Sequence, residues 1–319
     1  MFSPSEVEDA QAVVYSALRP TPQYAWPLLT KEIGATVWVK HENHHPVGAF
    51  KVRGGLTYFD ELTRRAPEID GVISATRGNH GQSIAFAATR HGKSAVIVVP
   101  HGNSKEKNAA MKALGAELIE HGADYQASRE HAAAIAEERR LHFVPPYHRD
   151  LVRGVMTCWI EFFEAARPDV TFIPIGMGSG FCAAAAARAH LGAKTRLIGI
   201  VSAHATACRD SVLAGKVVEA PVATVLADGM ACRIPDAEAL EIIRREADDI
   251  VTVSDDEVAE AMRLLFAATH NVAEGAGAAS LAAAMNQKER WSGKVIGTTV
   301  SGGNVDSDVF ASVLDRRNG

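Results

Sequence analysis

What this chain has little of narrows its function first. Its four cysteines, Cys158, Cys182, Cys208 and Cys232, lie at least 24 positions apart, so no C-x-x-C pair exists to build a zinc knuckle or a dithiol redox motif. They read as reduced thiols, and a cytoplasmic location is expected. No run of Lys or Arg forms the electrostatic footprint of a nucleic-acid binder, and 33 basic against 38 acidic residues leave a net charge of only −5. A nucleic-acid partner is therefore not expected. No apolar run approaches the roughly 20 residues that cross a bilayer, so a soluble chain with no membrane partner is expected. No G-x-S-x-G elbow marks a serine hydrolase. No repeat, biased tail or long linker interrupts the chain.

What is present is a mixed α/β pattern. With 47% hydrophobic residues, the 319-residue chain can bury a core large enough for two lobes. The opening "SPSE" lets Ser3 cap a helix, with Pro4 at its first position and Glu6 closing a capping box, which argues against a secretory leader. From residue 72 onward, short β-branched runs such as "VIS", "AVIVVP", "ELIEHG" and "TFIPIG" alternate with longer Ala-rich helical stretches. This alternation predicts parallel sheets flanked by helices. Gly92 and Gly115 stand where two of those helices should end.

Three strand-to-loop junctions share one composition: "SATRGNHGQS", "PIGMGSGF" and "TTVSGGN". In open α/β sheets ligands collect at the carboxyl ends of strands, where loops meet the next helix. The run Gly176, Met177, Gly178, Ser179 and Gly180 reads as an anion site, because glycines let the backbone approach a phosphate and the helix start offers free N–H groups. A dinucleotide would also require an acidic residue after the next strand. That strand, "RLIGIV", is followed by Ser202, Ala203 and His204, which favours a single phosphate.

Lys51 lies in "HHPVGAFKVRGG", where Gly48, Gly54 and Gly55 imply close packing. A lysine amine that is partly desolvated forms Schiff bases with aldehydes, and pyridoxal phosphate is the anionic aromatic cofactor that makes use of one. Asn79 is placed either to cap a helix or to meet a cofactor oxygen, and Ser301 either to cap a turn or to meet a pyridine nitrogen. The cluster His41, Glu42, His44 and His45 has no metal-ligand spacing and reads as loop residues with solvent or packing roles, so no metal site is expected.

The four motifs, in this order, resemble the fold-type II pyridoxal-phosphate enzymes, most closely the threonine and serine dehydratase branch that also holds serine racemases and hydroxyaspartate dehydratases. The likeness spans about residues 18 to 305. It implies a two-domain α/β fold, each domain a mainly parallel twisted sheet flanked by helices, with residues 1–54 and 149–319 forming a large cofactor-binding domain and 55–148 a small mobile one. It implies that Lys51 carries the pyridoxal 5'-phosphate and acts as catalytic base, with Phe50 walling one cofactor face. Asn79 and Ser301 would meet the ring, and Gly176 through Gly180 its phosphate. Thr76, Arg77, Gly78 and His80 would meet the substrate. The implied reaction is β-elimination from a β-hydroxy L-amino acid such as threonine or serine, giving a 2-oxo acid and ammonia, in a homodimer or higher homo-oligomer. A dehydratase for 3-hydroxyaspartate or phenylserine, a β-replacement enzyme of the same fold and a non-catalytic amino-acid- or cofactor-binding protein are the alternatives.

The chain departs from that pattern in three places. Arg77 occupies a position usually held by a small residue and by a catalytic serine in the racemases, which removes the second acid-base group of a racemase and suggests a partner for an acidic substrate, alongside the simpler reading of a structural ion pair. "VSA" stands where metal-activated relatives have "VEP", so Ser202 replaces a metal-binding glutamate. The chain ends soon after "SGGN", and no C-terminal regulatory domain is expected.

Overall fold

The computed structural model describes residues 2–315. Its strands are β1 (Gln23–Ala25), β2 (Thr36–His41), β3 (Gly71–Ala75), β4 (Ser94–Val99), β5 (Glu117–Glu120), β6 (His142–Phe143), β7 (Val170–Pro174), β8 (Arg196–Ser202), β9 (Asp249–Val253) and β10 (Val295–Val300). They form a six-stranded sheet, ordered β1-β2-β10-β7-β8-β9, and a four-stranded sheet, ordered β5-β4-β3-β6. Every pairing is parallel except β1 against β2. Parallel neighbours need a crossover connection, which the intervening helices supply.

The two faces of each sheet are filled by alternate residues, as the period of two requires. Phe172, Ile198 and Ile200 pack on one side of the larger sheet with the helices Asp255–Thr269 and Gly275–Asn286. Ile173, Leu197 and Val201 pack on the other with Arg149–Ala166 and Ser179–Leu191. In the smaller sheet Val72, Ile97 and Val99 oppose Ile73, Val96 and Val98 in the same way.

Local signals behave as their chemistry dictates. Ser3 and Glu6 form the capping box around the helix Pro4–Tyr15. Gly92 and Gly115 adopt φ of 66° and 93°, the left-handed backbone that follows a helix end. The glycines beside Lys51 serve helix packing: a Cβ at Gly54 would lie 2.6 Å from the Leu151 carbonyl, and one at Gly154 would lie 2.1 Å from the Arg53 carbonyl. The helix that begins at Lys51 (Lys51–Arg65) is thereby pressed backbone to backbone against Arg149–Ala166.

Candidate active site

Loops after β2, β3, β7 and β10 converge at the carboxyl ends of strands from both sheets. The loop before Lys51 is held by the last of these. Phe50 N donates to the Ser301 carbonyl at 3.0 Å, Gly303 N donates to the Gly48 carbonyl at 2.9 Å, and Ala49 bridges Gly302. Asn304 Nδ2 adds a bond to the Val47 carbonyl at 2.9 Å. Gly48 turns with φ of 66°, and a Cβ there would sit 2.5 Å from Asn304 Oδ1, so only glycine fits.

These loops surround a pocket lined by Phe50, Lys51, Asn79, Gly176, Met177, Gly178, Ser179, Gly180 and Ser301. The expected Schiff-base lysine, ring contacts and anion loop therefore share one cavity. Burial pushes the Lys51 amine down to about 8, against the opposing pull of the Glu274 carboxylate. Its Nζ lies 5.1 Å from the centre of the Phe50 ring, and Phe50 in turn reaches within 3.7 Å of where a Gly180 Cβ would stand. Lysine, aromatic wall and glycine loop thus adjoin one another.

The glycine loop is shaped by what a side chain would strike. A Cβ at Gly176 would lie 2.4 Å from the Gly229 carbonyl, and one at Gly178, whose φ is 95°, would lie 2.8 Å from the Ala239 Cβ. Gly178 caps the helix Ser179–Leu191 without a side-chain hydrogen bond, so no cap competes for the first N–H groups of that helix. Uncapped N–H groups at a helix start are suited to an anion.

Of the loop 76–80, Asn79 lines this pocket and Arg77 a second space, while Thr76, Gly78 and His80 line neither. Asn79 does not cap its helix; Gly78 precedes the first turn, and the Asn79 side chain instead donates from Nδ2 to Glu274 Oε1 at 2.5 Å and accepts from Asn304 Nδ2 at 2.8 Å. Thr76 is buried, its Oγ1 accepting from Gly78 N at 3.0 Å. His80 is buried with Nε2 unpartnered, and burial together with the Lys51 charge pushes it down to about 3, so it is neutral near pH 7. Arg77 is exposed and lines a wider crevice with Tyr125, Arg129, Tyr147 and Arg233, which shares Met177 with the lysine pocket. Ser301 lies at the pocket wall, its Oγ 3.5 Å from the Ala276 carbonyl.

Several residues here carry no motif. Glu274, Met230, Trp159 and Glu42 also line the pocket. Glu42 and Glu161 clamp the buried Arg53, two residues after Lys51, through Nε–Oε2 and Nη2–Oε1 bonds of 2.8 and 2.9 Å and an Nη1–Oε1 bond of 2.6 Å. The histidines nearby pack: His45 Nε2 lies 3.1 Å from Glu42, and His41 accepts from Trp26 Nε1 at 3.0 Å. Ser202 Oγ accepts from His204 N at 3.1 Å.

A sequence profile described as pyridoxal-phosphate dependent enzyme matches residues 14–302. The chain belongs to that family. It is 34% identical to an L-threonine ammonia-lyase of Geobacter sulfurreducens over 90% of this chain and 72% of the relative. It is 33% identical to an L-threo-3-hydroxyaspartate ammonia-lyase of a Pseudomonas species over 92% of each. The solved threonine deaminase isoform 2 of Solanum lycopersicum superposes with a TM-score of 0.89 at 25% identity, covering 99% of this chain and 95% of that one. The fold is that of the fold-type II enzymes, and pyridoxal phosphate is the cofactor. The pocket suits it on its own terms, since an amine of lowered basicity stands beside an aromatic wall and a glycine-lined helix start whose first N–H groups have no side-chain cap.

Proposed function

We propose that this protein eliminates water from a β-hydroxy L-amino acid and releases a 2-oxo acid and ammonia. The observation that carries the reading is the Lys51 amine, lowered to about 8 by burial and set beside an anion cradle in a family that binds pyridoxal phosphate. When bound, the cofactor supplies the electron sink for breaking the Cα–H bond. Lys51 anchors it and serves as proton acceptor, its depressed basicity leaving far more of the free amine near neutral pH than an ordinary lysine has. Gly176 through Gly180 hold the phosphate, Phe50 walls the ring, and Asn79 and Ser301 orient its polar edge. Thr76, Gly78 and neutral His80, on the loop that also carries Asn79, are assigned to the substrate side.

Within this class Arg77 favours a second carboxylate on the substrate, as in 3-hydroxyaspartate, because it is exposed in the crevice that shares Met177 with the pocket. In this reading residues 55–148 form a small domain that moves over a large one made of 1–54 and 149–319. The enzyme works in the cytoplasm as a homodimer or larger homo-oligomer. Serine, threonine, both 3-hydroxyaspartate diastereomers and phenylserine, assayed for ammonia and 2-oxo acid without added nucleophile, test the proposal. Release from at least one supports it, and turnover seen only with an added nucleophile would establish β-replacement instead.

A further inference from the structure

Asn79, Lys107, Asp228 and Glu274 come from four separate segments and meet at the edge of the pocket. Lys107 stands in the first turn of the helix Lys105–Ala113, which follows β4 of the smaller sheet. Its buried side chain runs over Gly78, where a Cβ would lie 2.4 Å from Lys107 Cδ. The ammonium ends 2.7 Å from Asp228 Oδ2 and 3.4 Å from Glu274 Oε2. On the other side Gly302 leaves matching room, since a Cβ there would lie 2.5 Å from Glu274 Oε1 and 3.1 Å from Asn79 Nδ2. Two glycines therefore clear the space that this cluster fills.

We propose that Lys107 is a positioning residue: reaching across from the smaller sheet, it fixes Glu274, which holds the Asn79 amide beside Lys51, so that docking of the helix Lys105–Ala113 completes the surroundings of the Lys51 amine. The proposal rests on the reading of Lys51 as the residue that carries the cofactor.

The charges facing Glu274 from every neighbouring segment are Lys107, Asp228 and, across the pocket, Lys51, with Asn79 as the neutral donor. Burial pushes the Glu274 carboxyl up and Asp228 adds to that, while Lys107 is the chief influence pulling it down. Glu274 and Asp228 in turn outweigh burial and hold the Lys107 ammonium above its usual range. Without Lys107 two carboxylates face each other with no cation between them, and Glu274 takes up a proton. The negative charge that supports protonated Lys51 is then lost. The same helix turn keeps a second attachment, because Ser104 Oγ bonds Asp306 and Ser307 N donates to Glu106 Oε1 at 2.9 Å. A Lys107 variant accordingly keeps the helix in place while losing the charge.

The test uses the cofactor-loaded protein without substrate. The pH midpoint of the absorbance band of Lys51-bound cofactor should fall by about 1 unit in Lys107→Met, the lower end of what one nearby charge does. Amide exchange over residues 79–90 should rise about 10-fold. Lys107→Arg should stay near the parent in both measurements. Glu274→Gln should reproduce the shift in midpoint, and the double variant should move no further than Glu274→Gln alone, which also carries the test if Lys107→Met does not fold. An unmoved midpoint in Lys107→Met or Glu274→Gln, or additive shifts in the double variant, would overturn the proposal. A parent protein with no such band would refute Lys51 as the cofactor's anchor, and exchange over 79–90 would still judge the link through Lys107.

Discussion

Phe50 N donates to the Ser301 carbonyl at 3.0 Å, joining motifs from opposite ends of the chain. Through this bond, and the Ala49–Gly302 bridge beside it, the residue that precedes Lys51 is fixed by the loop that ends β10. The amine is therefore placed by the larger sheet even though the helix it opens packs toward the smaller one.

Lys51→Ala should lower ammonia release by at least about 100-fold, because general-base assistance alone accounts for that much. Circular dichroism should match the parent, since among the described residues the Lys51 amine makes no hydrogen bond. Turnover near the parental level, measured without added amines, would remove Lys51 from its role.

The pH dependence of stability should carry the signature of the same amine. Its folded-state value of about 8 lies below the ordinary 10.5, so between these values the unfolded chain binds the extra proton and stability rises with pH. Denaturant unfolding of the cofactor-free protein at several pH values in that window, compared with Lys51→Met, isolates the contribution. The difference between the two proteins should grow with pH in favour of the parent, and a constant difference would refute the depressed amine.

Arg53→Met should destabilise the protein by about 3–5 kcal/mol, the cost of leaving buried charges without their partner. Glu42 loses its guanidinium partner, Glu161 is left with Lys40 as its cation, and Thr157 Oγ1 accepts from Arg53 at 2.9 Å. Equilibrium urea unfolding measures the loss. Arg53→Lys should recover little, since one ammonium cannot make the forked contacts.

Gly178→Val should weaken cofactor binding and cost about 1–2 kcal/mol of stability through the left-handed backbone alone. The added Cβ also meets Ala239, which lies on the neighbouring helix Ala237–Glu246. Cofactor titration by absorbance and thermal unfolding together separate the two effects.

Arg77→Ala should reduce kcat/KM for 3-hydroxyaspartate about 10-fold or more relative to threonine, the value of a charged hydrogen bond. Its exposure in the crevice makes a structural cost small. Equal losses on both substrates would assign it to the common α-carboxylate or to the loop itself.

Residues read in contiguous runs were enough to place the loops 76–80 and 176–180 and Ser301 at strand ends, and to anticipate the parallel sheets. Backbone conformation depends on near neighbours, so glycines, caps and alternating apolar runs announce their elements locally. Asn79 shows where this stops: capping was an open reading, yet its amide goes to Glu274, 195 positions away. Glu274, Lys107 and Asp228 lie in unremarkable local sequence and acquire their roles only when segments from the two sheets meet. Arg53 was visible beside Lys51, but Glu161 as its partner was not. Which way Arg77 turns was equally beyond the local pattern. Pairing between distant charges is decided by how the sheets pack and which loops they bring into one low-dielectric space, and that is a property of the tertiary structure alone.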